Sequence, residues 1–226
     1  LTVSRETSDW RSWPEKRVLI VGARRLNLDL TPEQTDRLLD FMAELRRWNR
    51  KINLIGPARP PEDLVLHLLD SLAPLPYLPA GPLRLLDLGS GAGLPGLVLK
   101  ILRPDWTVTL AEARAKRAAF LRQAGRLLRL DGLEVIQARL GPDHPEPPRR
   151  DFDLVTARAF GPLTELLPLA APFLKTGGRL LAYKGPKADR EPAAALNAEG
   201  FQLESRQDFR LPFLDRPRVV LLFRFQ

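Results

Sequence analysis

The sequence predicts an α/β protein: a doubly wound, mostly parallel seven-stranded sheet preceded by a helical extension. Three observations predict it. From Leu83 onward, short apolar runs alternate with segments of helical periodicity, the pattern of a parallel sheet covered on both faces. The first of those runs ends in a glycine-rich turn, Asp87 to Gly96, placed ahead of a helical segment. The last two runs, Phe201–Asp208 and Arg218–Phe225, have no helix between them, as an antiparallel pair closing the sheet requires.

The elements follow in order. Val18–Gly22 reads equally as a short strand or a helix start. Thr31-Pro32-Glu33-Gln34 is a capping box with proline at the first helical position. Leu38, Leu39, Met42, Leu45 and Trp48 then recur at helical spacing. A second helix is expected over Glu62–Ser71, ended by Pro74 and Pro76, and Pro74–Pro82 reads as a linker. Residues 1–80 are therefore expected to form a helical extension and residues 81–226 the α/β domain. In the latter, strands are expected at Leu83–Leu88, Thr107–Ala111, Leu133–Gln137, Phe152–Ala157 and Arg179–Lys184, besides the closing pair. Helices are expected at Leu94–Leu102, Ala115–Leu130, Leu163–Leu174 despite Pro168, and near Lys187–Leu196. The proline-rich Gly141–Arg150 reads as a loop.

Composition narrows the function. The 226 residues are 44% hydrophobic and 27% charged, within the range of ordinary globular proteins. Apolar runs such as Val219–Phe223 are far too short to span a bilayer, and Leu1–Arg11 has no apolar signal core, so a cytoplasmic protein with no membrane partner is expected. The absence of cysteine excludes disulfides, cysteine-held metals and a thiol nucleophile, and His67 and His144 lie too far apart to suggest a metal site. A net charge of +8 favours a polyanionic partner over mere solubility, because each phosphate neutralised releases a counterion.

The turn Asp87-Leu88-Gly89-Ser90-Gly91-Ala92-Gly93-Leu94-Pro95-Gly96 lies where a doubly wound sheet places nucleotide-like ligands. Glu112 ends the next strand, where a carboxylate can accept from both hydroxyls of a ribose. Read from Gly91, Gly93 and Gly96, the turn matches a dinucleotide fingerprint; read from Asp87 through Gly89, Gly91 and Gly93, it matches an S-adenosylmethionine loop. The second reading is favoured. Asp87 can reach a methionine ammonium, whereas a carboxylate beside a pyrophosphate has no use.

Methyl transfer from a sulfonium needs alignment more than acid–base machinery, so the missing catalytic triad is no objection. Carbon-5 methylation of pyrimidines usually needs a cysteine, and none is present. The fourth strand is followed by Thr156-Ala157-Arg158-Ala159-Phe160, not by the Asn/Asp-Pro-Pro-aromatic tetrapeptide that marks exocyclic-amine methylation. Ring nitrogens and ribose hydroxyls remain as nucleic-acid targets, and guanine N(7), with a free lone pair, needs no base. Arg158 ends a strand at the ligand edge, where it meets a cofactor carboxylate or a phosphate, or else pairs with Asp151 or Asp153. Lys184 points to the same edge; Lys116, Arg117 and Arg122 form a phosphate contact or a solvated helix face. His67 and Asp70 read as a helix-stabilising pair, and Trp48 as core.

Several segments in this order carry a family resemblance: Trp48-Asn49-Arg50-Lys51-Ile52-Asn53-Leu54, His67-Leu68-Leu69-Asp70-Ser71, Asp87 to Gly96, Lys116-Arg117 with Phe120-Leu121, Arg139, Asp153 with Arg158-Ala159-Phe160, and Lys184-Gly185. From about Thr31 to Val220 the chain resembles the bacterial small-subunit ribosomal RNA guanine-N(7) methyltransferases, the glucose-inhibited division protein B family. The resemblance implies a seven-stranded S-adenosylmethionine-dependent methyltransferase fold. It implies transfer to guanine N(7) in small-subunit ribosomal RNA, free or in the assembled subunit. Cofactor-binding positions would be Asp87, Gly89, Gly91, Leu94, Glu112, Leu140, Gly141 and Arg158; RNA-side positions would be His67, Lys116, Arg139 and Lys184. A monomer is expected, with no separate catalytic side chain. The family pattern is broken by Ile55-Gly56, Leu140-Gly141 and Arg216-Pro217, and residues 1–25 match nothing in it. A nicotinamide oxidoreductase and a noncatalytic RNA-binding assembly factor are the competing readings, and the charge disfavours a small-molecule methyltransferase.

Overall fold

A computed structural model describes residues 13–55, 63–141, 151–185, 199–214 and 216–226. The helix expected near Lys187–Leu196 and most of the proline-rich loop lie outside these residues. The ambiguous segment Val18–Gly22 belongs to a helix, α1 (Glu15–Arg25), which buries Val18, Leu19, Gly22 and Ala23. At Gly22 the lack of a side chain lets α1 lie against the next but one helix, since a Cβ there would stand 2.3 Å from Leu69 Cδ1. The capping box forms as expected: Gln34 N–H donates to Thr31 Oγ1 at 3.1 Å and Thr31 N–H to Gln34 Oε1 at 3.0 Å, opening α2 (Pro32–Asn49). Its stripe is buried at Leu38, Phe41, Met42 and Leu45, while Leu39 and Trp48 are half-buried against it. Helix α3 (Asp63–Leu72) follows, then a short 3-10 turn, Leu75–Tyr77. The expected linker is anchored here, because Leu75 and Leu78 are buried in the core.

The sheet runs in the order β3-β2-β1-β4-β5-β7-β6. Its strands are β1 (Arg84–Leu88), β2 (Thr107–Ala111), β3 (Leu133–Ile136), β4 (Phe152–Arg158), β5 (Leu174–Lys184), β6 (Phe201–Arg210) and β7 (Pro217–Phe225). The first five pair in parallel; β7 pairs antiparallel with both β5 and β6. Between strands run α4 (Gly96–Leu102), α5 (Ala115–Leu127) and α6 (Leu163–Ala170). Helix α6 ends soon after Pro168, and the remainder of the expected helix is a 3-10 turn, Ala171–Phe173. Strand β5 begins earlier than expected because Leu174 pairs with Phe152 before a register shift over the Gly177-Gly178 stretch.

Alternation along the strands assigns side chains to the two faces. Leu85, Leu154, Leu181 and Leu222 pack with α1 to α5 in one continuous core; Leu86, Val155, Leu180 and Leu221 pack with α6 on the other face. The N-terminal helices therefore share their core with one face of the sheet. Among the described residues, no helix is long and apolar enough to cross a membrane.

Candidate active site

The site grows from the carboxyl ends of the parallel strands, where such a sheet leaves its ligand crevice. Strand β1 delivers Asp87 fully inside: it is 1% exposed. Its carboxylate accepts from Thr156 Oγ1 at 2.9 Å and from Gly96 N–H at 3.2 Å, clamping the turn to β4 and α4. Ser90 Oγ donates to the Asp87 carbonyl at 2.9 Å, and Gly93 N–H to the Ser90 carbonyl at 2.7 Å. Gly89, Gly91 and Gly93 all adopt positive φ, at +69°, +53° and +78°. A Cβ on Gly89 would meet nothing within 4 Å, so the turn presents open backbone there. Strand β2 delivers Glu112, 5% exposed, whose two oxygens accept from Gly91 N–H at 2.9 Å and Arg114 N–H at 2.8 Å.

Burial raises the Asp87 carboxyl to about 6, although hydrogen bonds from Thr156 and Gly96 and the charge of Arg158 pull the other way. The folded protein thus holds this proton more tightly than the unfolded chain. Its contribution to stability is present below the ordinary value of 3.8 and is lost as pH rises through about 6. A cationic ligand group beside Asp87 needs the ionised form. Adenosylhomocysteine affinity is therefore expected to fall about tenfold per pH unit below 6, a loss that Asp87→Asn removes while weakening binding at pH 7.5. Calorimetric titration at several pH values checks this; a flat wild-type profile would detach Asp87 from the ligand.

Leu94 is buried behind the turn, and Leu140 and Gly141 follow β3 half-buried. Arg139 and Lys116 are exposed, and Lys184 Nζ donates to the Gly161 carbonyl at 2.8 Å. His67 lies half-buried on α3, one turn before Asp70. Arg117, near Gly91, donates to the Asn53 carbonyl at 3.1 Å, tying the Asn-Leu segment to α5, and Arg122 donates to the Val135 carbonyl at 3.3 Å. Trp48 packs 5.8 Å from Phe120 and gives its indole N–H to the buried Glu44 at 2.7 Å.

Arg158 does not pair with Asp151 or Asp153, which are taken by Arg84 and by Lys175 at 3.2 Å. It lies 3.6 Å from Asp70 and 3.4 Å from Ser71 Oγ. Asp70 itself accepts from Arg218 Nε at 3.0 Å, so it serves two cations of the sheet edge. Tyr183 Oη donates to the Ser71 carbonyl at 2.9 Å, completing the attachment of α3 to β4, β5 and β7. Next to Arg158, Ala159 has φ +57°, a conformation that costs a non-glycine residue energy and recurs at functional sites. Thr156, Asp70, Tyr183 and Arg218 were not singled out for the site by sequence; only the Asp-Ser of the α3 segment signalled any of them.

Solved structures share this architecture at low identity. The geranyl diphosphate C-methyltransferase of Streptomyces coelicolor A3(2) aligns over 87% of this chain and 99% of its own, with TM-score 0.59 and 17% identity. A SAM-dependent methyltransferase from Aquifex aeolicus aligns over 82% and 98%, with TM-score 0.56 and 14% identity. A sheet of this order, with an open glycine turn between carboxylates on β1 and β2, defines the S-adenosylmethionine-dependent methyltransferase class. Within it, the rRNA small subunit methyltransferase G family model matches residues 34–220. A protein of that name from Methylobacillus flagellatus is 46% identical over 204 residues, 90% of this chain and 95% of its own. One from Burkholderia multivorans is 39% identical over 209 residues, 91% and 90%. The chain belongs to the rRNA small subunit methyltransferase G family.

Proposed function

We propose that the protein methylates N(7) of a guanine in small-subunit ribosomal RNA, acting as a monomer in the cytoplasm. The observation that carries the reading is the open turn at Gly89, flanked by Asp87 and Glu112, in a chain of this family. Those residues fit S-adenosylmethionine: a buried carboxylate for an ammonium, a second carboxylate for ribose hydroxyls, and bare backbone between them. When bound, the cofactor supplies an already activated methyl group, so the protein's work is placement. Asp87, Gly89, Gly91, Leu94, Glu112, Leu140, Gly141 and Arg158 hold the cofactor side in this reading. His67, Lys116, Arg139 and Lys184 face the RNA, with residues 1–80 as the extension that carries His67.

Guanine N(7) suits the groups present. The Tyr183 hydroxyl, raised well above 10 by burial, stays protonated and is no base. An acceptor with its own lone pair asks for none. A nicotinamide cofactor is not favoured, since its pyrophosphate would lie beside the buried Asp87 carboxylate.

The test is transfer of labelled methyl from S-adenosylmethionine to small subunits lacking the modification, with the product mapped by cleavage at 7-methylguanine. Label at one guanine is expected, and 7-deazaguanine at that position should accept none. Normal methylation of the deaza-RNA overturns N(7). RNA binding without adenosylhomocysteine binding would leave an assembly factor.

A further inference from the structure

The glycine turn occupies the β1–β2 side of Arg158. On its other side, toward β5 and β7, lies a separate cavity of about 180 Å³. Its walls include Asp70, Arg158, Lys184 and Arg218, with Ala159 and Phe209. Three cations thus line, with one carboxylate, a half-open recess that carries an excess of two positive charges. The side-chain exposures are 18% for Arg158, 25% for Arg218 and 13% for Asp70. Neither Arg158 contact is close: 3.6 Å to Asp70 and 3.4 Å to Ser71 Oγ. A guanidinium carries five donors in a planar fork that matches the oxygens of a phosphate. Arg218 spends Nε on Asp70 and Nη1 on the Pro217 carbonyl at 3.2 Å. Asp70 therefore orients two guanidinium groups without neutralising them.

We infer that this cavity is a phosphate site, in which Arg218 and Lys184 bind a phosphodiester of the RNA strand that enters the active site, with Arg158 as the wall they share with the cofactor side. The cavity has room for about six waters at ~30 Å³ each, enough for a phosphodiester with part of its sugar. It stands at the carboxyl edge of β4 and β5, beside the crevice, so a phosphate held here fixes the strand next to the reacting base. Arg218 acts on the substrate alone: it lies two strands beyond β4, away from the glycine turn. This rests on the substrate being RNA.

The test uses the full chain with Arg218→Met, which keeps the aliphatic stem and removes the charge. Adenosylhomocysteine affinity should be unchanged. KM for unmodified small subunits should rise about tenfold, a charged hydrogen bond being worth roughly that. For a fluorescent small-subunit RNA fragment, the slope of log K against log salt should become shallower by about 0.7–0.9. Arg218→Lys should restore the slope, and Lys184→Met should reproduce the loss if Arg218→Met folds poorly. Unchanged KM and slope in a folded Arg218→Met protein overturn the site, as does a parallel loss of adenosylhomocysteine binding. If wild-type enzyme methylates while both variants keep the wild-type slope, the phosphate site fails and the N(7) reading stands. If the slope falls in both but the wild type methylates no guanine, the reverse holds.

Discussion

Gly89→Val is expected to abolish adenosylhomocysteine binding while leaving a cooperatively folded protein. The two halves of the expectation have separate causes. Gly89 sits at φ +69°, where a β-branched residue is strained by about 1–3 kcal/mol. For a chain of this size that lowers the unfolding temperature by about 2–12 °C and leaves the transition cooperative. The new side chain meets no protein atom within 4 Å, so it goes into the open space over the turn. That space is the one a cofactor on this backbone must enter, and the affinity loss should exceed about a hundredfold, since a misplaced group forfeits packing and hydrogen bonds together. Gly96→Val should behave in the opposite way. A Cβ there would stand 2.4 Å from Leu110 Cδ2 and 2.9 Å from Asp87 Cβ, so α4 must lift from the sheet and the whole protein loses stability. One glycine of the turn serves the ligand and the other serves packing. Calorimetric titration with thermal unfolding separates them; normal adenosylhomocysteine binding by Gly89→Val would remove the turn from the site.

That distinction shows where sequence reading reaches and where it stops. The turn, its flanking acids and the succession of strands along the chain were legible because each is local: a run of apolar residues, a glycine spacing, a carboxylate at the end of the next strand. The capping box at Thr31 was legible for the same reason. Helix α1 was not resolved because Val18–Gly22 is too short to show a period, and only packing of Gly22 on Leu69 settles its form. The partners of Asp70 were beyond reach. Spacing offers His67 as a neighbour within α3, and the fold adds Arg218 to Asp70 across 148 residues of sequence. Thr156 was hidden similarly, a polar residue in an apolar strand whose use appears only when β4 lies beside β1 and its hydroxyl reaches Asp87.

Asp70→Ala is expected to cost the most stability of any single change around the cavity between α3, β4 and β7. The carboxylate is 13% exposed and faces Arg158 at 3.6 Å and Arg218 at 3.0 Å. Its removal leaves two partly buried guanidinium groups repelling each other without the carboxylate between them, Arg158 keeping only the more distant charge of Asp87. Breaking a buried pair in this way costs about 3–5 kcal/mol, and the remaining solvent access places this case near the lower end. An unfolding temperature lower by about 6–12 °C follows for a chain of this length. Asp70→Asn should lose less, because an amide oxygen still accepts from Arg218. The cause can be isolated by a double-mutant cycle: if the penalty is the stranded charge, Arg218→Met should recover part of the loss in the Asp70→Ala background, giving a coupling energy well above ~0.5 kcal/mol. Strict additivity would mean that Asp70 and Arg218 stabilise the edge independently. The cluster would then be surface charge and not the strut that holds α3, β4 and β7 around the cavity.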